Sequence, residues 1–242
     1  MIKNKNDILG RNYWASAVQC FKDTKMLVFA SLIIALRVAV KAARISLAAG
    51  LYLTFDCYIN ALGSAVYGPV AALAVGAVSD TLGCMLFPSG PYFFPFIFVE
   101  MSSGFIFALF FWKRPISIQR CVAAKFTVNF ICNIVLTSVI MKWDYYFFYG
   151  LEKAEAYSIV NLARIVKSLV LFPVEALLIY AVLNLTLPRL KRIGLNTAVS
   201  PQKITFKHIL FTLLLLLLSV GIVLLYIFYL KDFISAHNFK LF

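Results

Sequence analysis

The chain has 242 residues, 62% of them hydrophobic and only 14% charged, with a mean hydropathy of +0.89. That balance leaves too little polar surface to enclose a globular core, so it excludes an ordinary soluble fold and describes an integral membrane protein, all-α in class. The net charge of +13 must then be placed relative to a bilayer, and nucleic acid is not an expected partner.

Residues 1–25 carry Lys3, Lys5, Arg11, Lys22 and Lys25, with Trp14, Val18 and Phe21 at helical spacing. This is the pattern of a short amphipathic helix lying on the membrane, too polar for a cleaved signal peptide. The first span is expected from Met26 to about Leu47. Its small residues Ser31, Ala35, Ala39 and Ala43 recur every four positions, a stripe that lets a second helix approach closely, either within the bundle or from a partner. Arg37 lies inside this span and requires an internal acid or a polar cavity.

A second apolar segment covers about 51–67, with Asp56 and Asn60 near its start, and Gly68-Pro69 marks the turn after it. The third and fourth spans are expected over about 70–87 and 94–111, each long enough to cross. Ser79–Glu100, SDTLGCMLFPSGPYFFPFIFVE, joins them and is the stretch around which the chain is organised. Pro88, Gly90, Pro91 and Pro95 forbid a continuous helix there. Phe87, Tyr92, Phe93, Phe94 and Phe96 give the break flat faces, suited to the membrane interface or to stacking on a planar ligand. Asp80 and Glu100 are acids inside apolar spans, which marks both as candidate functional residues.

After a basic loop, Trp112–Arg120, the fifth span covers about 121–141 and places Lys125, Asn129 and Asn133 on one face. The amides suit helix-joining hydrogen bonds as well as ligand contact. Residues 142–160 read as an aromatic, charged loop long enough to act as a lid. The sixth span, Asn161 to about Leu187, opens with Asn161, Arg164, Lys167 and Ser168, polar groups near one membrane surface that either bind a ligand or snorkel. Glu175 lies deeper and is expected to pair with Lys125 or Arg37 from another helix. A basic linker, 189–208, leads to a leucine-rich seventh span over about 209–230 and a tail to residue 242.

Basic residues number thirteen in the N-terminal segment, the 112–120 loop and the 188–208 linker, against six in the opposite loops and tail. The N-terminus is therefore expected in the cytoplasm, with the 87–95 loop, the 142–160 loop and the start of the sixth span facing outward. Asp80, Glu100, Asn133, Asn161 and Arg164 then meet in the outer half of one bundle.

Four stretches carry a resemblance: LVFASLIIALRVAV in the first span, YGPV before the third, SDTLGCMLFPSGPYFFPF, and NLARIVKSLVLFPVEALL in the sixth. Over about residues 12–192 the sequence resembles the folate-type substrate-binding subunits, or S components, of energy-coupling-factor (ECF) vitamin transporters in the bacterial plasma membrane. The resemblance implies a six-helix bundle over 26–188, to which the seventh span is an addition. It implies that Ser31, Ala35 and Ala39 face a transmembrane coupling subunit, and that two separate ATPase subunits supply energy, in keeping with the lack of a G-x-x-x-x-G-K-[ST] run. The implied ligand is folate or a reduced folate, with no cofactor and no catalytic residues. A carboxylate suits the donor edge of a pterin and an arginine its carbonyl or glutamate oxygens. On that basis Asp80 or Glu100 would read the pterin edge, Phe87, Tyr92 and Phe94 would stack, and Asn133, Asn161, Arg164 and Lys167 would complete the pocket. Lys41 or Arg44 would reach the glutamate tail. A pyrimidine, a deazapurine or riboflavin is the alternative planar cargo. A membrane enzyme is disfavoured because His208 and His237 lie outside the pocket and no nucleophile–base set appears. The five cysteines show neither a CxxC pair nor zinc spacing, so no metal is expected.

Overall fold

The computed structural model describes residues 11–41, 44–48, 51–88, 92–150 and 162–195, together with Leu210, Leu214, Leu217 and Gly221. For residues 11, 44–48, 51–54, 162–167, 169 and 170 the description covers the backbone. Helix α1 (Arg11–Gln19) leads through a 3-10 turn into α2 (Thr24–Lys41). Two short strands follow, β1 (Arg44–Ala48) and β2 (Leu51–Thr54), and then α3 (Asp56–Tyr67), α4 (Pro69–Leu86) and α5 (Ile97–Phe111). The next helix is one long rod: α6 (Ile118–Val128), a π-helical segment (Asn129–Leu136) and α7 (Thr137–Tyr149). Helix α8 (Leu162–Arg192) closes the bundle against α3 and α6.

Among the described residues, Pro69–Leu86, Phe94–Phe111, Ile118–Tyr149 and Leu171–Arg192 are long and apolar enough to cross a membrane. Helix α2 is as long as α4 but carries Lys25, Arg37 and Lys41. Helix α3 has 12 residues, roughly 18 Å of rise, and crosses only part of a bilayer.

The turn between α3 and α4 is dictated locally. Gly68 has φ 84°, a left-handed value that ends α3, and Pro69 starts α4 where its missing N–H loses nothing. The Trp112 ring covers Gly68, and a Cβ there would fall 2.7 Å from Trp112 Cε2. In a bilayer, helix association rests on close packing rather than on release of water. Gly76 of α4 accordingly sits against the backbone of Glu100 and Met101, and Gly104 of α5 sits against Ala72. The core behind this contact is built from Tyr67, Phe107, Phe111, Ile179 and Leu183, all with at most a trace of exposure.

Several expected boundaries move. The first span ends at Lys41 rather than Leu47, and β1 and β2 pair antiparallel, Arg44 with Thr54, Ile45 with Leu53 and Ser46 with Tyr52. Alternation of polar and apolar residues in RISLA, followed by Gly50, favours strand and turn over helix. The second apolar segment correspondingly starts its helix at Asp56, not at residue 51. The fifth span starts at Ile118, because Ser117 caps it by accepting the Arg120 N–H at 3.3 Å, and it runs through Tyr149. The first eight residues of the expected 142–160 lid are therefore helical, and residues 151–160 lie outside the described residues.

The expected 189–208 linker likewise begins as helix. Pro188 is accommodated inside α8, which ends in a Schellman cap: Gly194 has φ 84°, its N–H reaches the Lys191 carbonyl, and the Leu195 N–H reaches that of Leu190. Leu195 then packs back into the core. Of the seventh span, Leu210, Leu214, Leu217 and Gly221 are helical and exposed; the remainder lies outside the described residues.

Candidate functional site

A charge placed inside a membrane bundle must find a partner, and the interior of this one is organised by that requirement. Arg37, on the last turns of α2, is completely buried. Its Nε donates to Asp56 Oδ1 at 2.8 Å and its Nη2 to Asp56 Oδ2 at 2.9 Å, a bidentate fork onto the first residue of α3. Nη2 also donates to Glu100 Oε2 at 2.5 Å, tying in the first turn of α5. One turn beyond Arg37, Lys41 Nζ donates to Asp80 Oδ1 at 2.9 Å. Lys41 lies flat across α4 at Gly83, where a Cβ would meet its Cδ at 2.5 Å and its Nζ at 2.8 Å. Four helices thus contribute to one polar layer.

The layer is not charge-balanced. Arg37 and Lys41 face Asp56, Asp80 and Glu100, two cations against three carboxylates, which leaves one negative charge in excess when all are ionised. Accessibility divides the five. Glu100, Lys41 and Asp56 retain 27%, 18% and 17% of their side-chain exposure, whereas Asp80 retains 8% and Arg37 none. Glu100 is thus the most accessible acid of the layer, and Asp80, nearly buried, holds Lys41.

A second polar group adjoins the first through α3. Lys125 Nζ of α6 lies 2.9 Å from Glu175 Oε2 of α8 and 3.2 Å from Cys57 Sγ, the neighbour of Asp56. Of the two cations expected to hold Glu175, the structure selects Lys125. Further along the same rod, Asn133 Nδ2 donates to Asn129 Oδ1 at 3.0 Å, and Asn129 Nδ2 donates to the Ser168 carbonyl at 3.2 Å. The amides therefore join the π segment to α8. Asn60 does the same for α3 and α5 through Ser103 Oγ at 3.1 Å.

At the end of the bundle above the charge layer, Phe93 packs against Phe96, Phe147 and Phe148 with ring centroids 6.0–6.2 Å apart, linking the α4–α5 loop to the end of α7. Phe87, Tyr92 and Phe94 are exposed, and Phe94 meets Phe98 edge-on. Asn161 lies outside the described residues, as do the side chains of Arg164 and Lys167, whose backbone belongs to α8. Ser31, Ala35 and Ala39 are exposed along one face of α2, with the Ser31 hydroxyl turned onto the Leu27 carbonyl.

Sequence reasoning thus named Asp80, Glu100 and Asn133, and assigned Lys41 to the glutamate tail where the structure pairs it with Asp80, but left Arg37 and Asp56 outside the candidate set. Their signal was present: each is an ionisable residue in or beside an apolar segment. Phe93 was one aromatic among several until the fold turned it inward. Among the described residues, no group of three His, Cys, Asp or Glu side chains is placed to hold a metal ion.

Residues 21–185 match the family described as ECF-type riboflavin transporter, S component. Two curated relatives are folate transporters named FolT. The chain is 28% identical over 120 residues to that of Clostridium novyi (strain NT), covering 50% of this chain and 65% of the relative, just under two thirds of that protein's length. It is 25% identical over 163 residues to that of Leuconostoc mesenteroides subsp. mesenteroides, covering 67% of this chain and 86% of the relative. A crystal structure of FolT bound with folic acid is similar at a TM-score of 0.56 and 26% identity, covering 66% of this chain and 92% of that one.

Proposed function

We propose, from the premise that this chain belongs to the S-component family of ECF-type transporters, that it is the membrane subunit that captures a folate on the outer side and passes it inward. The observation that carries the reading is agreement among relatives: both curated proteins are folate transporters, and the similar solved structure holds folic acid. They are transport proteins, which sets the enzyme reading aside. The matched residues 21–185 contain every member of the charge layer.

Within this reading, Glu100 is the carboxylate assigned to the donor edge of the pterin. It is the most accessible acid of a layer that already has one acid in excess, and it shares its arginine with Asp56. Asp80 positions Lys41. Phe87, Tyr92 and Phe94 are assigned to stacking on the ring, and Asn133, Asn161, Arg164 and Lys167 to the carbonyl and glutamate oxygens. The N-terminus is assigned to the cytoplasm, in keeping with the distribution of basic residues. Ser31, Ala35 and Ala39 present their exposed face to the coupling subunit, and two ATPase subunits energise the complex. Riboflavin is the second reading, favoured by the description of the matching family.

The deciding experiment is a titration of the detergent-solubilised full chain with folic acid, followed by tryptophan fluorescence, with riboflavin, thiamine and a pyrimidine as competitors. Saturation below about 1 µM that none of the competitors disturbs is expected. Binding of riboflavin without binding of folic acid overturns the cargo and retains the family. Removing the charge from a hydrogen-bonded acceptor is worth about 1.5–3 kcal/mol, so Glu100→Gln is expected to weaken folic acid roughly 10- to 100-fold. Unchanged affinity in Glu100→Gln refutes the pterin-edge assignment.

A further inference from the structure

The opposite end of the bundle carries a charged surface that ligand capture does not use. Helix α1 is pinned there: Tyr13 meets Trp112 edge-on at 4.7 Å, and Tyr13, Ala17 and Trp112 form a small buried cluster. Lys113, held at φ 57°, brings its Nζ over the Trp112 ring at 4.2 Å and to Ser16 Oγ at 2.5 Å. With α1 fixed in this way, Lys22 and Lys25 at the start of α2, Arg114 after α5, and Arg189, Lys191 and Arg192 on the last turn of α8 share one rim. The ends of α2 and α8 adjoin, with Lys25 Nζ 3.5 Å from where a Cβ on Gly194 would stand.

Three observations indicate what this rim meets. The four ion pairs among the described residues all lie in the interior, and none involves these six cations. Asp23 is the described acid beside them, one carboxylate against six cations, and its Oδ1 accepts the Lys25 backbone N–H at 3.0 Å. Trp14, Val18 and Phe21 are exposed next to the cations. Apolar side chains sunk below a row of uncompensated cations set those cations at the depth of lipid phosphates.

We propose that this rim is a binding site for anionic phospholipid headgroups, their phosphates held by the lysine and arginine side chains of the rim. Charge complementarity and the adjoining apolar side chains favour a lipid over a soluble anion, because a free phosphate makes no use of Trp14, Val18 and Phe21. The inference rests on the membrane bundle and not on the identity of the vitamin.

The test is native mass spectrometry and thermal unfolding of the full chain in mixed micelles containing either dioleoylphosphatidylglycerol or dioleoylphosphatidylcholine. The phosphatidylglycerol form is expected to stay bound and raise the melting temperature, and the phosphatidylcholine form to do neither. Each cation lost at an anionic surface weakens binding roughly fivefold. Lys25→Gln/Arg192→Gln should therefore lower phosphatidylglycerol occupancy by an order of magnitude or more while folic acid binding is unchanged. If that variant does not fold, Lys22→Gln/Arg114→Gln removes the same charge from the other side of the rim. Equal retention of the two lipids, or full phosphatidylglycerol retention by both variants, overturns the proposal. So does an outcome in which the variants lose only co-purification with energising subunits, which would make the rim a protein interface.

Discussion

Replacing Arg37 by Met is the sharpest probe of the charge layer. The substitution conserves an unbranched apolar stem but removes three donor contacts, two to Asp56 and one to Glu100, in a side chain with no exposure. Two carboxylates are then left beside each other, and the excess charge of the layer rises from one to two. Removing one partner of a buried pair costs about 3–5 kcal/mol, because the remaining charge is stranded. Asp56, held by both oxygens, accounts for most of this; Glu100, more open to water, accounts for less. Against a total stability of roughly 5–15 kcal/mol the loss is severe. It is measured by denaturant or thermal unfolding of the purified full chain in detergent. Neutralising the stranded acids in Arg37→Met/Asp56→Asn/Glu100→Gln is expected to recover more than half of the loss. A single variant within about 0.5 kcal/mol of the parent, or a triple variant no more stable than the single, would refute the assignment of Arg37 as the keystone of this layer.

The second ion pair behaves in the same way: Lys125→Met is expected to cost about 3–5 kcal/mol by stranding Glu175, and Lys125→Met/Glu175→Gln to recover much of it, read by the same unfolding assay. At the α4–α5 contact, Gly76→Leu forces a side chain into backbone 2.9–3.0 Å away and should destabilise by about 1–3 kcal/mol, whereas Ala74→Leu on the exposed face of α4 should be nearly neutral. Gly83→Ala displaces Lys41 from its course across α4, so its effect on folic acid affinity should match that of Lys41→Met; a silent Gly83→Ala would separate Lys41 from the site. On the exposed face of α2, Ala35→Phe should leave folic acid binding in detergent intact while abolishing co-purification with the coupling subunit, and normal co-purification would remove Ala35 from that interface.

The sequence by itself determined the membrane class, the order of the helices, the Gly68-Pro69 turn and the interruption after α4. These follow from local causes: apolar run length, the fixed φ of proline and the freedom of glycine. It also determined that Asp56, Asp80, Glu100, Glu175, Arg37 and Lys125 need partners, since a charge in an apolar span is costly wherever the fold places it. Hairpin 44–54 was missed because its composition is as apolar as a span and only its alternation differs. The end of α8 was missed because Pro188 reads as a stop, while the Schellman cap at Gly194 depends on Leu195 finding the core. Only the tertiary structure decided which charge meets which: that Asp56 and Glu100 share Arg37, that Lys41 crosses Gly83 to Asp80, and that Glu175 goes to Lys125. Pairing between helices depends on their rotation and depth, which packing sets, as the close contacts at Gly76 and Gly104 do between α4 and α5, and one helix's periodicity carries no information about its neighbour's.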